Sequence, residues 1–177
     1  MSESTQDRKE PSRRIAQIIR DAGGQIVGRT KLQKTAYLLF LAKFESTFQF
    51  GYKYYGPYSE ALASAADLAA AFDIIIEDKK QASWGGTYSV YQKSEGQESA
   101  DRIRVALTQT AANSDAVLLE LAATAAYLAT EGRPRPWAET ARRKPDKAAD
   151  DRLTRSKGLY RELRAISDNR LPDIGEE

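Results

Sequence analysis

The residue types in this chain exclude several chemistries before any motif is sought. There is no Cys and no His, so thiol nucleophiles, Ser–His triads, imidazole acid–base catalysis and Cys/His zinc sites are excluded. No Gly-rich phosphate loop and no Gly-x-Ser-x-Gly elbow occurs. Asp150 and Asp151 are adjacent and point to different parts of a helix surface. We expect no enzymatic activity and no cofactor; a metal site built only from carboxylates needs no local motif and stays open.

A tyrosine-rich segment around residues 54–59 is the first candidate for binding. Tyr55 and Tyr58 flank Gly56-Pro57, and tyrosine is enriched at protein interfaces because its ring buries much area at low entropy cost. An exposed aromatic platform is one interpretation. The alternative is a turn that packs the next helix, in which Gly56 and Pro57 set the backbone and Ser59 caps the helix.

Basic residues form the second candidate feature. The net charge is +2, but residues 1–57 hold 10 basic and 5 acidic side chains. Such a surplus is compatible with an anionic partner, but an ordinary solvated face is the preferred interpretation. The basic residues of this first segment that could touch a phosphate backbone or the acidic face of a partner are Arg13, Arg14, Arg29, Lys31, Lys34 and Lys53. A later cluster surrounds Trp137 and comprises Arg133, Arg135, Arg142, Arg143, Lys144 and Lys147; we interpret it as a solvated linker with Trp137 as a packing anchor.

Helices dominate the elements that must position these residues. Apolar spacing predicts helices over residues 12–22, 30–45, 60–72, 98–112, 115–130, 137–143 and 146–168. Ser12 and Ser59 are candidate caps, and Thr30 with Gln33 has the spacing of a capping box. Alternating aromatic residues over 48–54 predict an extended segment with those aromatics in the core. Residues 25–27, 74–77 and 87–91 are expected to form short strands, the last two as a hairpin.

The order of these elements is that of a winged helix-turn-helix. We expect a mainly α fold with a small β-hairpin: a disordered tail over residues 1–10, a winged-helix-like core over 11–94, a helical C-terminal part over 95–170 packed on that core, and a frayed tail over 171–177. No run of about 18 apolar residues could span a bilayer, and the N-terminus lacks the apolar stretch of a signal peptide. A cytoplasmic location is therefore expected.

The third helix decides whether DNA binding follows from this order. In helix-turn-helix proteins that helix enters the major groove. Its charged residues here are Glu60 and Asp67, with Asp73 just beyond, and it has no Lys, Arg, Asn or Gln. Each of these carboxylates would repel phosphate. The usual mode of DNA recognition is disfavoured, while contact through the basic surface of residues 13–34 stays open.

Two stretches resemble a known family. Residues 28–39 contain Lys31-Leu32-Gln33-Lys34 followed by Tyr37-Leu38-Leu39 and resemble the corresponding helix of YwgA-like proteins; residues 52–62 resemble their Tyr-Gly-Pro-Tyr-Ser element. The same pair is similar, more distantly, to the Panacea (SocA-like antitoxin) domain, whose usual Gly-Pro-Val is Gly-Pro-Tyr here. The resemblance covers residues 15–80. It implies a prokaryotic, cytosolic protein whose distant relatives bind partner proteins as antitoxins or proteolytic adaptors.

The expectation is thus a non-catalytic protein–protein interaction module, antitoxin-like, adaptor-like or a regulatory subunit. Its partner is expected to be a toxin, nuclease or regulatory protein, and homodimerisation stays open. A winged-helix transcriptional regulator is the alternative. The contacts are expected on the exposed rim of the shared motif, at Arg29, Lys31, Lys34, Tyr55 and Tyr58, where tyrosine supplies buried area and the cations supply orientation.

Overall fold

The computed structural model describes residues 5–93 and 95–175, which form seven helices and five strands. In chain order these are α1 (Thr5–Asp21), β1 (Gln25–Val27), α2 (Arg29–Leu41), β2 (Gly51–Lys53), β3 (Gly56–Tyr58), α3 (Glu60–Ala71), β4 (Ile76–Gln81), β5 (Thr87–Gln92), α4 (Arg102–Asn113), α5 (Ala116–Thr130), α6 (Pro136–Arg143) and α7 (Arg152–Ile166). The expected mainly α fold with a small hairpin is confirmed.

One small antiparallel sheet supplies the strands expected for a winged helix-turn-helix. Its strand order is β1-β5-β4, so that the hairpin β4–β5 is the wing and β1 pairs with β5 on the other side. A separate hairpin, β2–β3, lies between α2 and α3 and turns at Tyr54 and Tyr55. This second hairpin is the long connection that separates the two central helices.

The core is shared between the two halves of the chain. α2 is buried along most of its length and packs against α4 and α5, while α5 also contacts α6, α7 and β3. Burial of the apolar surface of α2 and α5 on nearly all sides is the main stabilising term. None of the helices in the described ranges is long and apolar enough to cross a membrane.

Several local expectations are wrong. α1 begins at Thr5, so residues 5–10 of the expected tail are helical, and residues 1–4 lie outside the described residues. Ser12 does not cap α1: it lies inside the helix, where its hydroxyl donates to the carbonyl of Ala65 at 3.1 Å. The Thr30–Gln33 capping box does not form, because α2 begins at Arg29 without a side-chain cap.

The other differences concern extent. Only Gly51–Lys53 of the expected strand over residues 48–54 is paired, and Tyr54 is 94% exposed rather than in the core. The last helix begins at Arg152, after a series of turns, instead of at residue 146.

The C-terminal segment is also docked rather than frayed as far as it is described. Leu171 is buried, and the Tyr160 hydroxyl donates to the carbonyl of Pro172 at 2.7 Å. Glu176 and Glu177 lie outside the described residues.

Candidate functional site

A groove opens where the start of α2, the wing and the β2–β3 turn meet. Its volume is about 690 Å³. We call it the wing groove. Its lining residues are Val27, Gly28, Arg29, Thr30, Lys31, Tyr55, Lys79, Trp84, Thr87, Tyr88, Ser89 and Ala116. It brings together three of the five residues expected to contact a partner, Arg29, Lys31 and Tyr55.

Two exposed aromatic side chains give the wing groove its apolar surface. Tyr55 is 56% exposed and Trp84 is 76% exposed. The Trp84 ring lies against the backbone of Gly86, where any Cβ would overlap it. Hydrogen bonds from Ala82 to the Gly86 carbonyl (2.8 Å) and from Gly85 to the Ala82 carbonyl (3.0 Å) close the turn at the tip of the wing. The indole is therefore presented from an ordered turn.

The charged residues that line the wing groove are all cationic. Arg29 contacts Glu77 at 3.7 Å, and the Ser89 hydroxyl donates to the same carboxylate at 2.6 Å. Within residues 5–93 and 95–175, neither Lys31 nor Lys79 has a carboxylate partner. The groove therefore has positive charge that its own carboxylates do not balance.

Lys34 does not belong to an exposed rim, and that expectation is wrong. Its side chain is 1% exposed, and its ammonium donates to the carbonyl of Pro57 at 2.8 Å. Burial lowers the pKa of Lys34 to about 8, although the nearby Glu120 carboxylate acts to raise it. Lys34 thus stabilises the β2–β3 hairpin by binding its backbone from the protein interior, and it does not face a partner.

Its neighbour Gln33 has a similar structural role. The Gln33 amide donates to the carbonyl of Ser59 and accepts from the Ser59 amide, both at 2.9 Å. Ser59 in turn caps α3 by accepting from the amide of Leu62 at 3.1 Å, as expected. The two motifs that suggested the family therefore contact each other directly: one presents side chains, and the other presents the backbone that those side chains bind.

A buried ionic cluster holds the β2–β3 turn from the opposite side. Lys144 donates to Glu120 at 2.8 Å and to the carbonyl of Tyr54 at 3.1 Å. Lys147 also donates to Glu120, at 2.7 Å, and its ammonium lies 4.8 Å from the centre of the Tyr55 ring. The turn that carries Tyr55 is thus tied to α5 and to the segment after α6.

Tyr58 lies outside the wing groove. It is half-buried and lines a smaller cavity of about 40 Å³, with Arg29, Asp67 and Tyr91. The ammonium of Lys53 lies 5.1 Å from the centre of its ring. The structure therefore places Tyr58 beside the expected contact surface, on the other side of Arg29.

The third helix presents an anionic and apolar surface. Glu60 and Asp67 are exposed, as is Asp73 beyond the helix, while Leu68 and Phe72 are partly exposed. Lys53 forms an ion pair with Glu60. No cation of α3 itself faces outward, because the helix contains none.

Four of the six basic residues around Trp137 form ion pairs with carboxylates, and Arg133, Arg135 and Arg142 line one surface depression with Glu139. Trp137 is buried, and its indole N–H donates to the carbonyl of Gly175 at 3.2 Å. Arg142 and Arg143 pair with Glu139, at 2.7 and 2.8 Å. Lys144 and Lys147 pair with Glu120. The burial of Trp137 agrees with its interpretation as a packing anchor.

Sequence reasoning missed two features of the site. Trp84 is not among the predicted site residues, although an apolar ring beside Gly85-Gly86 in a predicted hairpin indicates an exposed turn. Glu120 lies within an otherwise apolar helix, and an isolated carboxylate in such a stripe indicates a buried ionic partner. The identity of that partner depends on the tertiary fold.

Among the described residues, no group of three or more acidic side chains is arranged to hold a metal ion. No protein-family model, curated protein or solved structure matches the chain. The resemblance to YwgA-like and Panacea sequences stays a prediction.

Proposed function

We propose that the protein is a non-catalytic interaction module that binds a partner polypeptide in the wing groove. The single observation that carries this proposal is the meeting of Tyr55 and Trp84 with the cations of α2 in one open groove. Exposed tryptophan, tyrosine and arginine are the residues in which interface binding energy concentrates. The surrounding ordered turns reduce the entropy lost on binding.

The role inside the cell is proposed from the resemblance rather than from the groove. A similarity to YwgA-like and Panacea sequences supports an antitoxin-like, adaptor-like or regulatory role in a prokaryotic cytoplasm. The partner would then be a toxin, a nuclease or another regulatory protein.

Capture of partners from an extract of the native host tests the groove. Tyr55→Ala and Trp84→Ala are each expected to weaken capture by about tenfold or more, because each removes a central aromatic contact. Tyr54→Ala is the matched control, since Tyr54 is exposed at the same turn but does not line the groove. The site is wrong if both groove variants keep every partner that the wild type captures.

The second candidate is a winged-helix regulator that binds DNA, and Lys79 on the wing beside Arg29 and Lys31 favours it. The exposed Glu60, Asp67 and Asp73 on and just after α3 oppose it, because this is the helix that enters the major groove in helix-turn-helix proteins and its carboxylates would repel phosphate. A mobility shift on the protein's own promoter separates the candidates. Tight, sequence-selective retention that weakens steeply with salt would favour DNA over a polypeptide.

A further inference from the structure

We propose that the segment received by the wing groove is acidic: a short stretch of the partner polypeptide in which Asp or Glu accompanies apolar side chains. This inference rests on the proposed function and names the chemistry of its partner. It follows from charge complementarity, from the start of α2 and from the position of a neighbouring carboxylate.

Charge complementarity is the first step. The wing groove is lined by Arg29, Lys31 and Lys79 and by no carboxylate. Glu77 balances Arg29 alone, and its side chain is only about one-tenth exposed. Complementary charge across an interface speeds encounter and excludes wrong partners. Lys31 and Lys79 have no carboxylate partner in the described chain, so carboxylates of a bound segment could pair with them.

The start of α2 is the second step. The first helical amides of any α-helix lack intrahelical acceptors and carry partial positive charge. α2 has no side-chain cap and no acidic residue in its first turn, and that turn carries Arg29 and Lys31. Cations at this end of a helix oppose its dipole. A carboxylate bound here would offset the partial positive charge of the helix start and the charges of the two cations. It would also accept hydrogen bonds from the amides of the first turn.

The third step separates a short acidic segment from a nucleic acid, which is also anionic. The exposed carboxylate of Asp67 on α3 lines the small adjoining cavity beside Arg29. A phosphate backbone repeats its charge along its whole length and would have to pass this carboxylate. A peptide segment can place its carboxylates at Lys31 and Lys79 and an apolar side chain between Tyr55 and Trp84.

Selection of peptides against the immobilised full chain tests the proposal. Random peptides of about 12 residues are displayed on phage, which is long enough for groove recognition. The enriched peptides are expected to carry more Asp and Glu than Lys and Arg. One of them, synthesised with a fluorescent label, is then titrated by anisotropy, and raising NaCl from about 50 to about 300 mM is expected to weaken its binding several-fold.

Charge reversal identifies the residues responsible. Lys31→Glu combined with Lys79→Glu is expected to weaken the acidic peptide by about tenfold or more. Lys80→Glu combined with Lys93→Glu changes the net charge equally and is the matched control, since neither residue lines the groove. Lys80 follows Lys79 on β4, so its side chain points to the opposite face of the wing.

Four other outcomes would each contradict the proposal that the bound segment is acidic. They are enrichment of neutral or basic peptides, equal weakening by both charge-reversed pairs, tighter binding of an oligothymidylate at the same lysines, and no enrichment. The proposed function is judged separately. If Trp84→Ala loses the host partner while Lys31→Glu/Lys79→Glu keeps it, the groove binds a polypeptide and only its acidic chemistry is wrong.

Discussion

At the scale of single residues, Gly56 shows why the β2–β3 hairpin requires glycine. Its φ is +84°, and a Cβ at this position would overlap the hydroxyl of Thr124 on α5. That hydroxyl is held in place because it donates to the carbonyl of Glu120 at 2.7 Å. Any side chain at position 56 would therefore cause both backbone strain and a steric clash.

Gly56→Ala is expected to lower the free energy of unfolding by about 2–4 kcal/mol, from positive φ and overpacking combined. Gly85→Ala separates the two effects, because Gly85 has φ +93° in open space; it should cost about 1–2 kcal/mol. Gly51→Ala meets neither problem and should stay within about 0.5 kcal/mol. Urea denaturation of the three variants measures this order, and equal losses at Gly56 and Gly85 would exclude the clash with Thr124.

Lys34 provides a second prediction at this scale, in the pH dependence of stability. Its folded pKa of about 8 lies below the ordinary value of 10.5 because the ammonium is buried. Between these two values the unfolded chain binds more protons than the folded chain, so the contribution of Lys34 makes stability rise with pH. From about pH 8 to about pH 9.5 this contribution amounts to about 1.5 kcal/mol.

Lys34→Met should remove that rise, as measured by urea denaturation across the same interval, whatever its stability at pH 7. Lys79→Met is the control, because Lys79 is exposed and should leave the rise unchanged. The interval ends near pH 9.5 because burial raises the pKa of Tyr37 and of Tyr160, whose contributions oppose that of Lys34 at higher pH. A wild-type profile that is flat or falls from pH 8 would contradict this account.

At the scale of elements, α2 shows both the reach and the limit of prediction from sequence. Its apolar length correctly predicted a central helix, because burial on nearly all sides needs only local periodicity. The Thr30–Gln33 spacing equally suggested a local cap, but Gln33 instead binds the backbone of Ser59. A glutamine amide satisfies either partner, and the choice is made by the hairpin that the fold brings beside it. Lys34 was expected on an exposed rim but is buried for the same reason, because the hairpin that the fold brings beside it covers its ammonium.

The bond between Gln33 and Ser59 predicts a graded pair of variants. Gln33→Ala leaves the buried amide of Ser59 without a partner, whereas the Ser59 carbonyl still accepts from the Ala63 amide at 3.1 Å; it should cost about 1–3 kcal/mol. Gln33→Glu should cost at least as much at pH 7, because a buried carboxylate loses its hydration and one of its oxygens faces the Ser59 carbonyl without donating to it. Gln49→Ala, at an exposed position, is the control in thermal or urea denaturation. If Gln33→Glu were as stable as the wild type, the amide would not be donating to Ser59.

At the scale of the whole molecule, buried ion pairs join segments that are distant in sequence. Asp21 at the end of α1 accepts from Arg104 on α4 at 2.7 Å, from the Ser99 amide and hydroxyl at 2.7 Å each, and from Gln17 at 2.9 Å. Arg104 also donates to the carbonyl of Phe44 at 2.7 Å. No local spacing links Asp21 to Arg104, which lie 83 residues apart, so the sequence could not predict this ion pair.

The last prediction concerns the contribution of the Asp21–Arg104 ion pair to stability. Burial would raise the pKa of Asp21, but the bonds from Arg104 and Ser99 outweigh it and hold the pKa below its ordinary value. A carboxyl with a lowered folded pKa stabilises the fold above its unfolded pKa and loses that contribution as pH falls through the folded one. Arg104→Met leaves Asp21 buried without its cation, which should cost about 3–5 kcal/mol at pH 7. Arg102→Met, two residues earlier on α4 and exposed, should cost less than about 0.5 kcal/mol.

Acid denaturation distinguishes this ionic role from simple loss of packing. With Arg104 removed, the pKa of Asp21 should rise, because burial is then opposed only by Ser99 and Gln17. The difference in stability between wild type and Arg104→Met should therefore shrink as pH is lowered from 7 to about 3, where protonation relieves the unpaired carboxylate. If the difference is the same at both pH values, Arg104 stabilises the fold through its packing and not through Asp21.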